Sequence, residues 1–227
     1  MSSTVRASRW LQRLGSSIVS WLTGVSLVLA SACAGSEDAD RTHGGRASST
    51  DTQSTRLSPR VVSPIDPGPF TENPCRLVPE DKLASFGHVK SPQPDVNSNA
   101  AKKLLGPGCT WLAASTGEPT IGIRIHTLQA QHADTAFEGL EGIYQAKKSG
   151  KIDHLQPLLL PGRPEYPAVV YGQASDINAG TCTVSVGLAD DLTFSVQTIQ
   201  EEDPKNACLI AQKVASIALE AMLAAGD

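Results

Sequence analysis

Apolar residues fall along this chain in three regimes. An isolated apolar run, Ile18 to Leu29, follows the basic residues Arg6, Arg9 and Arg13. From Ala34 to about Pro69 there is almost no apolar periodicity, only Gly44-Gly45, a Ser/Thr tract over 48–55, and Pro59, Pro64, Pro67 and Pro69. From Phe70 onward, apolar positions recur at strand or helix spacing. The expected organisation is therefore a leader over 1–32, a flexible tether over 33–69 and one domain over 70–227.

Within the domain, Pro74–Gly87 reads as a short helix, with Pro79 suited to a first turn and Gly87 to an end. Residues 88–106 read mostly as loop. Cys109–Ala113 and Thr120–Thr127 alternate with period two around Ser115–Glu118, which predicts a hairpin. Asp134–Lys148 switches to helical period, with Ala133, Ala136, Phe137, Leu140, Ile143 and Tyr144 on one face. Gly139 and Gly142 weaken that helix by about 1 kcal/mol each. Leu155–Leu160 and Ala168–Gln173 read as strands, and Pro157 confines the first to a sheet edge. Cys182–Leu188 and Leu192–Val196 form a hairpin that turns at Ala189-Asp190-Asp191. Asp203-Pro204 opens the last helix, whose stripe is Ile210, Val214, Ile217 and Ala221. The expected fold is α+β, an antiparallel sheet with helices packed on one face.

The first 32 residues give an address. A basic start, a short apolar run and small residues are the parts of a secretion signal. The run is too short and too interrupted, by Ser20, Thr23, Gly24 and Ser26, to span a membrane, which takes about 20 residues. It ends in Leu29-Ala30-Ser31-Ala32-Cys33, the order of a lipobox, so Cys33 is the expected site of lipidation. An ordinary secreted protein cut after Ala30-Ser31-Ala32 is the rival reading, and an uncleaved anchor is a third. Two or more acyl chains, at about 0.8 kcal/mol per buried CH₂, hold a protein stably on a membrane. A tether of about 36 residues would span roughly 30–36 Å.

Charge narrows the partners. Three of the 19 Lys and Arg, and none of the 23 Asp and Glu, lie in residues 1–32. The remainder carries a net charge of about −7, which argues against nucleic acid and against electrostatic binding to anionic lipid. The expected membrane contact is the lipid on Cys33. Trp10 and Trp21 belong to the leader, which leaves Trp111 as the last tryptophan; its expected place is the core or over a disulfide.

Besides Cys33 there are Cys75, Cys109, Cys182 and Cys208. An even number in an exported chain implies disulfides, with three possible pairings. Cys75–Cys109 and Cys182–Cys208 are favoured. The first would join the segment before the early helix to the first strand, and the second the late hairpin to the last helix. No C-x-x-C or Cys/His ligand spacing supports a metal site.

Asn73-Pro74-Cys75-x-Leu77, Leu83, Gly87 and Gly108-Cys109-x-Trp111 together resemble the actinobacterial lipoprotein family known as domain of unknown function 3558. The lipobox, the tether and the late cysteine pair fit the same resemblance. It implies an envelope lipoprotein with an α+β domain, and it implies no catalytic residue.

The chemistry-bearing residues are sparse. There is no G-x-S-x-G, P-loop, dinucleotide fingerprint or H-E-x-x-H. Arg124 and His126 share the polar face of a strand, which offers an anion site or simply a solvated face. His43 reads as a linker residue, and His132 and His154 have no partner at a meaningful spacing. Asp190-Asp191 suit a turn, and Glu201-Glu202-Asp203 suit a helix start without the dense oxygen pattern calcium needs. No cofactor and no metal are expected. The reading is a non-enzymatic envelope module that binds or scaffolds a protein, peptide or small ligand. The alternatives are an extracytoplasmic hydrolase with dispersed catalytic residues and a carrier of an apolar ligand.

Overall fold

The computed structural model describes residues 56–127 and 139–226. Seven strands make one antiparallel sheet: β1 (Gln93–Asp95), β2 (Gly108–Trp111), β3 (Thr120–Ile125), β4 (His154–Leu158), β5 (Ala168–Gly172), β6 (Thr181–Gly187) and β7 (Thr193–Ile199). Their spatial order is β1-β2-β3-β7-β6-β5-β4. The chain builds one half from the edge inward, crosses to the far edge, and returns to pair β7 with β3. Pro157 lies on β4, an edge strand, where its missing N–H costs no ladder bond.

Among the described residues, five α-helices join the sheet: α1 (Gly68–Thr71), α2 (Glu80–Leu83), α3 (Gly139–Lys148), α4 (Ala174–Asn178) and α5 (Pro204–Gly226). The core lies between α5 and one face of the sheet. Ile121, Ile123, Ile125, Val184, Val186, Phe194 and Val196 supply the sheet side. Leu77, Leu83 and Trp111 close the same core at its β2 end. Trp111 is 1% exposed, as expected for a core residue.

α5 begins as the sequence predicts. The Asp203 carboxylate accepts the Asn206 N–H at 3.1 Å, capping the first turn. Its buried stripe is Ala207, Ile210, Ala211, Val214, Ala215, Ala218, Leu219 and Met222. Ile217 and Ala221, expected on that stripe, sit at its flank, half-buried. The alanines let the helix axis approach the sheet closely, and this turns the stripe toward them. α5 is long and apolar enough to cross a membrane, but its apolar side is the domain core.

Both favoured disulfides are present. Cys75–Cys109 and Cys182–Cys208 each have Cα atoms 5.1 Å apart. The first ties the Pro74–Leu77 turn to β2, and the second ties β6 to α5. With partners 34 and 26 positions apart in sequence, each bridge contributes about 3–4 kcal/mol by restricting the unfolded chain.

Several local expectations change. Pro74–Gly87 is not one helix: a 3₁₀ turn over Pro74–Leu77 breaks at the extended residues Val78 and Pro79 before α2 starts. Pro79 lacks the N–H that would continue the first turn. Residues 88–106 contain β1 and a single wide turn over Ala101–Leu105. The expected helix over 134–148 is described from Gly139; Ala133, Ala136 and Phe137 lie outside the described residues.

The described part of the expected tether, from Arg56 to Pro69, is fastened to the domain. Arg56 and Arg60 pair with the Asp190 carboxylate at 3.1 and 3.0 Å. Glu141 accepts the backbone N–H groups of Leu57 and Ser58 at 2.9 and 2.8 Å. The Ile65 N–H reaches the Leu188 carbonyl at 2.9 Å. Val61 and the α3 residue Leu140 close over Gly187 on the sheet face away from α5, and a Cβ there would come within 2.9 Å of Val61. One end of that second face is thus covered.

Candidate functional site

The other end of the second face holds a cavity of about 470 Å³, within the size range of small-molecule sites. Its floor follows from register. Thr110 on β2 stands opposite Gly122 on β3, Gly122 opposite Gln197 on β7, Gln197 opposite Thr183 on β6, and Thr183 opposite Tyr171 on β5. All five line the cavity. They form one row across five strands, and period-two alternation points them away from α5. Within the row, the Gln197 side-chain amide donates to the Thr183 hydroxyl at 3.3 Å. Leu105, Ile152 and Ile177 stand around the row as apolar wall.

Gly122 is the unusual member. A glycine inside a strand weakens it and often marks a place where a ligand or another backbone comes close. No backbone crowds Gly122: a Cβ would find its nearest neighbours, the Gln197 carbonyl oxygen and the Thr110 hydroxyl, only at 3.9 Å. Gly187 is the contrast, since packing alone accounts for its missing side chain.

Arg124 and His126 flank the row. The Arg124 guanidinium donates to the Gly106 carbonyl at 2.7 Å and to the Asp95 carboxylate at 3.1 Å. The Ser98 hydroxyl and then Arg124 hold the Asp95 carboxyl below its ordinary value. The charge of Arg124 is therefore already answered. His126 Nε2 lies 2.7 Å from the Ser195 hydroxyl on β7. Burial, and then the positive charge of Arg124, push the imidazole down to about 4, against a smaller opposing effect of the Leu105 backbone. The ring is neutral at pH 7. Its Nδ1 has no hydrogen-bond partner among the described residues.

A serine beside a histidine invites comparison with a hydrolase. Nucleophilic catalysis needs a base of suitable pKa, held by a third group. An imidazole held at about 4 is a weak base at pH 7, and among the described residues no carboxylate orients it. Ser195 also sits mid-strand, where β7 is paired on both sides and its N–H groups serve the ladder rather than an oxyanion.

The sequence-predicted residues are placed as follows. Cys75, Cys109, Cys182 and Cys208 are structural. Cys33, His43 and His132 lie outside the described residues. Arg124 and His126 do share a place, but through Asp95 and Ser195 rather than as a bare pair. His154 lies on the edge strand β4. Asp190 serves the N-terminal segment as well as its turn. Among the described residues no His/Cys/Asp/Glu group is arranged to hold a metal. The floor row was not anticipated; Gly122 between Ile121 and Ile123 is the one sequence signal that marks it.

The model of the family described as "Protein of unknown function (DUF3558)" matches residues 28–221. The chain belongs to the DUF3558 family. No curated protein and no solved structure matches it. In this DUF3558 chain the matched range includes Cys33, all four bridged cysteines and the whole floor row.

Proposed function

We propose that this DUF3558 protein is an envelope lipoprotein, anchored through Cys33, whose domain binds a small ligand in the cavity on the second sheet face without transforming it. Gly122 carries the reading: it costs strand stability, no packing neighbour demands it, and it keeps the cavity floor open. The polar floor favours a hydrogen-bonding ligand over a purely apolar cargo. The anchoring part rests on the basic, apolar and small-residue order before Cys33, on the acidic charge of residues 33–227 and on a disulfide-bonded domain.

Native mass spectrometry of the full chain, gently extracted from its own envelope, tests the binding. A noncovalent small-molecule adduct is expected on the wild type and not on Gly122→Val. Equal spectra without an adduct overturn the reading.

The 2.7 Å contact between His126 and Ser195 favours a second reading, a hydrolase with Ser195 as nucleophile. A fluorophosphonate that labels Ser195 in the native protein, and fails on His126→Gln, would replace binding with catalysis.

A further inference from the structure

We infer that the cavity takes an uncharged saccharide, because its floor is a register row of hydroxyl and amide side chains ending on a tyrosine, with no charged side chain in the row. This deepens the ligand-site reading and rests on it.

Charge comes first. Arg124 is the basic residue of the lining, and Asp95 and the Gly106 carbonyl engage it. An anionic ligand would compete with Asp95 and leave a carboxylate without its partner. Asp176 is the acidic residue of the lining, and it is exposed on α4, where water solvates it. A buried cation would find no close counter-charge on the floor. His126 is neutral at pH 7. Enclosing a charged ligand without a partner is costly, so the site selects against both signs.

Hydrogen-bonding capacity comes next. Thr110, Thr183 and Gln197 each carry groups that donate and accept, spaced one strand or two apart. Gly122 leaves a gap in that row where a ring can sit down to the backbone. Tyr171 at the end of the row supplies aromatic surface, and Leu105, Ile152 and Ile177 supply hydrocarbon, for the C–H sides of a sugar. A saccharide presents hydroxyls at its edge and C–H groups on its faces, which matches this division.

The test is saturation-transfer NMR on the detergent-solubilised full chain. The uncharged probes are maltose, cellobiose and diacetylchitobiose; the charged ones are glucose 6-phosphate, galacturonate and glucosamine. At least one uncharged disaccharide is expected to bind, about ten-fold tighter than any charged probe, with about ten-fold loss in Gly122→Val. A charged probe that binds as well as the uncharged ones overturns the inference. So does a protein that ignores all saccharides yet carries another small-molecule adduct from its envelope; the ligand class then falls and the site stands. If no adduct is seen, no saccharide binds and Gly122→Val changes nothing, the site reading falls as well.

Discussion

Gly122 on β3 and Gln197 on β7 face each other in register, and a Cβ added to Gly122 would stand 3.9 Å from the Gln197 carbonyl oxygen. The position thus tolerates a side chain that it does not have. Gly122→Val should fold, and should keep or raise stability by about 0.5–1 kcal/mol, because a strand glycine loses more chain entropy on folding. Urea denaturation checks this. A loss above about 2 kcal/mol, the range for a strained core, would mean that packing, not ligand space, dictates the glycine.

His126 should be neutral through the whole physiological range. Its folded pKa, about 4, lies below the ordinary 6.5. Its contribution to stability is then complete above 6.5 and lost as pH falls toward 4, where the unfolded chain takes the proton first. Histidine ring NMR should give a midpoint near 4 for this residue. His126→Gln should make the fall in urea midpoint from pH 7 to 4.5 shallower. A midpoint at the ordinary value, with no change in slope, contradicts the burial described above.

The segment Arg56–Val61 should be held by two carboxylates. Burial alone would raise the Glu141 carboxyl, but the Ser58 N–H, the Gln145 amide and the Leu57 N–H outweigh it and bring it below its ordinary 4.5. The hold is complete above that value and is lost as pH falls through the lower native one. Asp190 adds exposed ion pairs, each worth about 0–1 kcal/mol. Glu141→Ala with Asp190→Ala should therefore leave global stability nearly unchanged, yet speed tryptic cleavage after Arg56 and Arg60. Cleavage there at the wild-type rate would show that these bonds do not fasten the segment.

The Cys182–Cys208 bridge joins the central hairpin to the helix that covers it. Replacing both with serine should cost about 3–4 kcal/mol on the chain-entropy account, with Cys75–Cys109 left intact. Thermal unfolding of the non-reduced variant reads it. Equal melting temperatures would mean that the α5 stripe holds the helix without a crosslink.

Cys33 should carry lipid. Metabolic labelling with palmitate should mark the wild type and not Cys33→Ser, and the variant should leave the membrane fraction or accumulate unprocessed. A Cys33→Ser protein that still takes up palmitate rules out the anchor at this position.

Much of the fold is legible in the chain because its signals are local. The β6–β7 hairpin shows two alternating runs around Ala189-Asp190-Asp191, α5 has its Asp-Pro start, and Pro157 marks an edge. The cysteine pairing follows once those elements are placed. What stays hidden depends on pairing distant in sequence. β3 meets β7 only after the chain has built β4, β5 and β6, so nothing near Gly122 announces Gln197. Thr110, Thr183 and Gln197 each look like the solvated side of an ordinary strand, and register alone makes them a floor. The polar segment 56–61 reads as tether because its partners, Glu141 and Asp190, are some 80 to 130 residues away. α4 is one turn of helix, too short to leave a periodic pattern.

The most direct test is backbone amide NMR of the protein, titrated with the small-molecule fraction extracted from its own envelope. Shifts should concentrate on Thr110, Gly122, Thr183, Ser195 and Gln197 and vanish in Gly122→Val. Shifts confined to other surfaces, or none at all, would contradict a ligand site on the second face of the sheet.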